Sequence, residues 1–120
     1  MSEKMVIVCN GDEGKNIMPT LIFAASGLTL DKEVHIFFTP AGSKWAMKGE
    51  IEKLGQPKGL PNPLKLFEDV LDLGGHVVLC TLALENKDLD PTNVRDSRIT
   101  IGEVPPLLMA TEEAGLTYTF

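Results

Sequence analysis

Short apolar runs alternate along this chain with longer stretches that carry apolar residues at helical spacing, the pattern of a parallel sheet covered by helices on both faces. Met5-Val6-Ile7-Val8-Cys9 is branched, apolar and without strict alternation, as a strand buried on both faces must be. Val34-His35-Ile36-Phe37-Phe38 and His76-Val77-Val78-Leu79-Cys80 repeat that signature, and Arg98-Ile99-Thr100-Ile101-Gly102 is a fourth candidate strand. Leu116-Thr117-Tyr118-Thr119-Phe120 alternates polar and apolar positions, which predicts a sheet edge or a strand at a contact between subunits. The intervening segments predict a helix over Ile17 to Leu30 capped by Asn16, with Pro19 tolerated in its first turn, and a shorter helical stretch from Pro40 to about Leu54. Pro57, Gly59, Pro61 and Pro63 make a loop of the segment around them, after which Asn62 caps a helix through Leu73 that Gly74-Gly75 ends. A small helix over Glu85 to Leu89 and a last one from about Pro105 to Ala114 complete the series.

The chain has 120 residues and shows no repeat or interdomain linker, so residues 1–120 are expected to form a single domain. Eleven basic against seventeen acidic side chains give a net charge of −6, the wrong sign for a nucleic-acid footprint. No apolar run approaches the roughly 20 residues of a membrane-spanning helix, and the run behind the polar Met1 to Lys4 is too short for a secretory signal. Two cysteines cannot form a disulfide framework, and no Cys or His spacing resembles a zinc site. The expectation is a cytoplasmic protein with free thiols, no metal, no cofactor, no nucleic-acid partner and no membrane insertion.

In an open parallel sheet the functional groups gather beyond the carboxyl ends of the strands. Both cysteines fall there. Cys80 ends the third strand and is followed by Thr81-Leu82, so its sulfur is either a nucleophile facing the backbone amides of the next turn or a small hydrophobe filling the strand. Cys9 ends the first strand, and the carboxylates of Asp12 and Glu13 close behind it would oppose a thiolate, so it ranks below Cys80 as a possible second thiol. Whether the two sulfurs can pair depends on strand order, because one intervening strand doubles the roughly 4.8 Å spacing.

The remaining polar residues point less clearly to chemistry. Gly11, Gly14 and Lys15 lie in a strand-to-helix loop, but neither phosphate-binding glycine pattern is present, and a structural turn is the simpler account. His35 lies early in its strand and His76 starts the strand that Cys80 ends, so neither makes a catalytic pair with it. Trp45, Met47 and the Pro57 to Pro63 loop either cover the carboxyl edge or pack in the core. Asp88, Asp90, Asp96 and Glu103 lack the spacing of a calcium loop.

Val77-Val78-Leu79-Cys80-Thr81-Leu82 resembles the DsrE/DsrF-like family of small sulfur-relay proteins, the DsrEFH-like superfamily, in the position of its strand-end cysteine. Val6-Ile7-Val8-Cys9-Asn10, Glu33 to Thr39, and Ile101-Gly102 before the closing helix extend the resemblance over nearly the whole chain. The resemblance implies a three-layer α/β/α domain with a five-stranded, mainly parallel sheet, assembled as a homotrimer or homohexamer. It also implies that Cys80 holds sulfane sulfur as a persulfide and passes it from a donor protein to an acceptor thiol. The crevice around it would be framed by Asn10, Gly11, Thr39, Thr81, Leu82 and Gly102. The alternative from another class is a non-catalytic ligand-binding or regulatory oligomeric module, in which Cys80 is only part of the crevice wall.

Overall fold

The computed structural model describes residues 3–120. Five strands, β1 (Lys4–Cys9), β2 (Glu33–Phe38), β3 (His76–Cys80), β4 (Thr100–Gly102) and β5 (Leu116–Thr119), form one sheet in the order β4-β3-β2-β1-β5. Every pairing is parallel. The helices are α1 (Gly14–Thr29), α2 (Pro63–Asp72), α3 (Leu82–Asn86) and α4 (Val104–Glu112). Each connection between paired strands therefore crosses a face, which gives the expected layered α/β architecture.

One face carries most of the core. Ile7, Ile36, Phe38, Val77 and Leu79 point from the strands toward Ile17, Leu21 and Ala24 of α1 and toward Phe67 and Val70 of α2. The rings of Phe38 and Phe67 stack with centroids 6.2 Å apart. Gly74 ends α2 at a φ of 89°, a left-handed conformation that glycine adopts without the steric cost of a Cβ, and the chain then turns directly into β3.

The other face is governed by strand order. β4 and β5 occupy opposite edges of the sheet, so the segment joining them must traverse its full width, roughly four spacings of 4.8 Å. α4 is that crossing. Its Pro106, Leu107 and Ala110 share a groove with Phe37 and Val78, and Val6, Phe37 and Cys80 are buried yet stand apart from the main core cluster. No residue of α4 is itself buried, and Val104, Leu108 and Met109 are exposed on its outer side.

Several boundaries differ from the sequence expectation for identifiable reasons. α1 begins at Gly14, ahead of the expected Ile17, because Glu13 takes the cap position and its backbone N–H donates to Asn16 Oδ1 at 3.1 Å. Asn16 thus acts from inside the first turn. The expected helix after β2 is two separate 3-10 turns, Pro40–Ala46 and Ile51–Leu54. The small helix lies at Leu82–Asn86, directly behind β3, in place of Glu85 to Leu89. β4 starts only at Thr100, because the Arg98 side chain is held by Asp96 and Asp72 outside the ladder.

Candidate functional site

The carboxyl end of the sheet contains two thiols in different surroundings. In the parallel register Cys9 stands beside Phe38, and Phe38 beside Leu79, so Cys9 shares the face of the main core. Cys80 is one residue further along β3 and points to the opposite face, under the α4 crossing. β2 separates the two strands, which puts their backbones about 9.6 Å apart, beyond the roughly 7 Å limit for bridging two cysteines. Both thiols are free, and opposite faces with an intervening strand rule out an intrachain disulfide in this fold.

The expected crevice residues divide between these two centres. Asn10, Gly11 and Thr39 gather around Cys9 at the end of the β1–β2 pair. The Thr39 hydroxyl donates to Asn10 Oδ1 at 2.7 Å, and its backbone N–H donates to the Cys9 carbonyl at 3.2 Å. The Gly11 carbonyl accepts from Trp45 Nε1 at 3.0 Å and from Cys9 Sγ at 3.8 Å. Thr81, Leu82 and Gly102 gather instead around Cys80: the Thr81 N–H donates to the Gly102 carbonyl at 2.9 Å, and Gly102 is the register partner of Cys80. Continuing the β2–β3 register by one residue places Thr39 alongside Cys80 as well, so Thr39 joins the two groups.

The Cys9 thiol is completely buried, and burial pushes its pKa up against smaller opposing contributions from the Thr20 hydroxyl and Gly11 backbone. Its low rank as a nucleophile is therefore due to desolvation. Asp12 and Glu13, the carboxylates expected to suppress it, are exposed, and Glu13 serves at the start of α1. Gly42 packs so closely on the Cys9 carbonyl that a Cβ there would collide with it, which explains the tight 3-10 turn at Pro40–Ala46. The folded protein holds Cys9 protonated beyond the pH at which the unfolded chain, with an ordinary thiol value of 9.0, ionises. The stabilisation is complete below that value and is lost as pH rises through the folded one. Urea midpoints are expected to fall more steeply above about pH 9 in the wild type than in Cys9→Ala; equal slopes would contradict it.

Cys80 is only 1% exposed. Among the described residues no hydrogen bond reaches its sulfur, so the amide contacts expected from the following turn are not formed in this arrangement. Access to this face is provided by a groove of about 320 Å³ between α4 and the sheet. Its lining includes Val78 and Gly102, the nearest neighbours of Cys80 on that face along and across the strands, and Phe37, Leu107 and Ala110 further out. At the far end His35 Nε2 donates to the Glu33 carboxylate at 2.8 Å, and the His35 ring stacks on His76 with centroids 4.5 Å apart. Both rings lie four residues below the level of Cys80, about 13 Å along the strands, so no Cys-His pair exists.

The groove was not among the features read from the sequence, because it depends on which strands occupy the edges. The one available signal was the Val104 to Met109 run, apolar on every side of the last helix. Trp45 and Met47 are buried in the core cluster, and Pro57 and Leu60 pack near α1, so neither segment covers Cys80. Among the described residues no group of three or more His, Cys, Asp or Glu side chains is placed to hold a metal ion, and no helix is long and apolar enough to cross a membrane.

This arrangement defines a class: the fold is DsrE-like, as the residues from Val77 to Leu82 led us to expect. The ychN protein from E. coli superimposes with a TM-score of 0.79 over 98% of this chain and 99% of its own, at 20% sequence identity. A conserved protein of unknown function from Bacteroides thetaiotaomicron, BT1422, does so with a TM-score of 0.66 over 98% and 95% of the two chains, at 12% identity. No protein-family model and no curated protein matches the sequence.

Proposed function

We propose that this protein is a small sulfur carrier of the DsrE type, holding sulfane sulfur as a persulfide on Cys80. The observation that supports the reading is the position of Cys80 itself. It ends β3 on the face away from the main core, and its neighbours Val78 and Gly102 form part of the groove beneath α4. Cys9 differs in lying within the main core cluster, where burial raises its pKa.

The exchange needs no external oxidant. Cys80 thiolate attacks the outer sulfur of a donor persulfide R–S–SH, the donor S–S bond breaks, and the donor leaves as a thiolate. An acceptor thiolate then attacks that same sulfur and Cys80 departs as the thiolate leaving group, so each step exchanges one S–S bond for another. Gly102, the register partner of Cys80, lines the groove together with Val78, against which a Cβ at Gly102 would press. A transferase activity in this sense requires only donor and acceptor proteins that reach the groove, and the cytoplasm supplies the reducing conditions that keep both thiols free.

The exposed Val104, Leu108 and Met109 on α4 support self-association into a homotrimer, because an apolar helix with no buried residue gains from covering its outer side. The functional test is direct. Incubation with a low-molecular-weight persulfide donor is expected to add ~32 Da per chain, removable by a dithiol reductant. A mass unchanged at saturating donor would end the proposal.

A further inference from the structure

Among the described residues that line the groove beneath α4, one is a carboxylate, Glu103, and none is a lysine or arginine. Its other walls are largely apolar. At the far end the His35 ring already bonds the Glu33 carboxylate. Lys4 is likewise occupied, shared by Glu33 at 3.7 Å and Glu113 at 3.0 Å. The sequence extends the asymmetry: from Ile99 to Phe120 there are three glutamates and no basic residue, in a chain of net charge −6.

The start of α4 reinforces this sign of charge. The first turn of a helix ordinarily presents unpaired backbone N–H groups that favour an anion. In α4 that turn contains Pro105 and Pro106, which have no N–H, and Glu103 occupies the cap position. A carboxylate therefore stands where an anion would otherwise bind. Glu103 follows Gly102, the register partner of Cys80, and its backbone is still extended, with φ of −100°. One strand spacing of about 4.8 Å and one residue of about 3.3 Å put its Cα roughly 6 Å from that of Cys80. Its side chain is exposed and makes no cap hydrogen bond with the helix.

The structure assigns this groove to low-molecular-weight thiols and persulfides that carry an ammonium group on a short apolar body, with Glu103 as the residue that selects their charge. The assignment deepens the carrier reading and rests on it for the persulfide step. A volume of about 320 Å³ falls at the lower end of the range for small-ligand sites. The ammonium pairs with Glu103, the methylene chain lies against Val78 and Leu107, and the sulfur is directed to Cys80. A thiol bearing a carboxylate or sulfonate meets Glu103 with the wrong sign and finds no lysine or helix amide to replace its hydration. Discrimination thus comes from repulsion of the anion as much as from attraction of the cation.

The test applies aminoethyl and sulfonatoethyl methanethiosulfonate, similar in size and opposite in charge, to the full chain at low ionic strength. With either reagent the Cys80 thiolate attacks the thiosulfonate sulfur, a mixed disulfide forms and methanesulfinate leaves, so no oxidant is needed. Rates are read on the Cys80 peptide and divided by those of mercaptoethanol, which removes the intrinsic difference between the reagents. The cation is expected to be favoured about tenfold, the Coulomb preference set by one carboxylate at roughly 6 Å in a water-like dielectric. Glu103→Gln is expected to cut that preference to about twofold or less. A wild-type ratio equal to that of mercaptoethanol, a faster anion, no reaction with either reagent, or a preference unchanged in Glu103→Gln overturns the proposal. The two readings fail separately. A chain that prefers the cation but takes no sulfur from any persulfide donor ends the carrier role and keeps the charge selection, whereas loading without the preference does the reverse.

Discussion

Replacing Cys80 with alanine or serine is expected to abolish persulfide loading, while Cys9→Ser still loads to the wild-type extent wherever it folds. The contrast follows from the two faces of the sheet. Cys9 is desolvated among Ile7, Ile17 and Phe38, whereas Cys80 lies on the opposite face, where its neighbours Val78 and Gly102 line the groove. The two Cys80 variants separate chemistry from folding. A serine hydroxyl at a position 1% exposed would lack a partner, at a cost of about 1–3 kcal/mol, but alanine carries no such polar group. Intact-mass measurement after donor treatment decides the matter. Retention of the added sulfur in Cys80→Ala, or its loss in a folded Cys9→Ser, would reverse the assignment.

The largest effect on stability is expected at Phe38. Its ring is fully buried, stacks on Phe67 and lies at the centre of the β1-β2-β3 face. Phe38→Ala is expected to lower the unfolding free energy by ~3–5 kcal/mol, the transfer loss together with the cavity left between sheet and α2. That is a large part of the roughly 5–15 kcal/mol that stabilises a domain of this kind. Urea titration would show it as a lower midpoint with little change in slope, and a loss below about 1 kcal/mol would mean that the Phe38–Phe67 packing is not central.

The features legible in the sequence were those set by local pattern. The central strands read as the unbroken apolar runs Met5 to Cys9 and Val77 to Cys80, and Asn62 identified itself as a cap, its side chain accepting from the Lys65 N–H at 3.1 Å. Contacts distant in sequence were not legible. The tight turn at Pro40–Ala46 is set by Gly42 against the Cys9 carbonyl and by Trp45 bonding to Gly11 across 34 residues. The same holds for the candidate site. Cys80 was identifiable as a strand end, but its face was fixed by the register with Gly102, and the groove above it by the placing of β4 and β5 at opposite edges. Asp12 and Glu13 read as the groups opposing a Cys9 thiolate because they are its neighbours in sequence; in the folded chain burial is the largest cause of its raised pKa.

Single-turnover transfer of isotopically labelled sulfur tests the carrier role most directly. The protein is loaded from a labelled donor persulfide, freed of donor, mixed with an acceptor thiol and quenched at intervals for peptide mass spectrometry. The label is expected first on the peptide containing Cys80 and then on the acceptor, with the rise of the second matching the decay of the first. Label on the Cys9 peptide, or label on Cys80 that the acceptor never removes, would contradict the account.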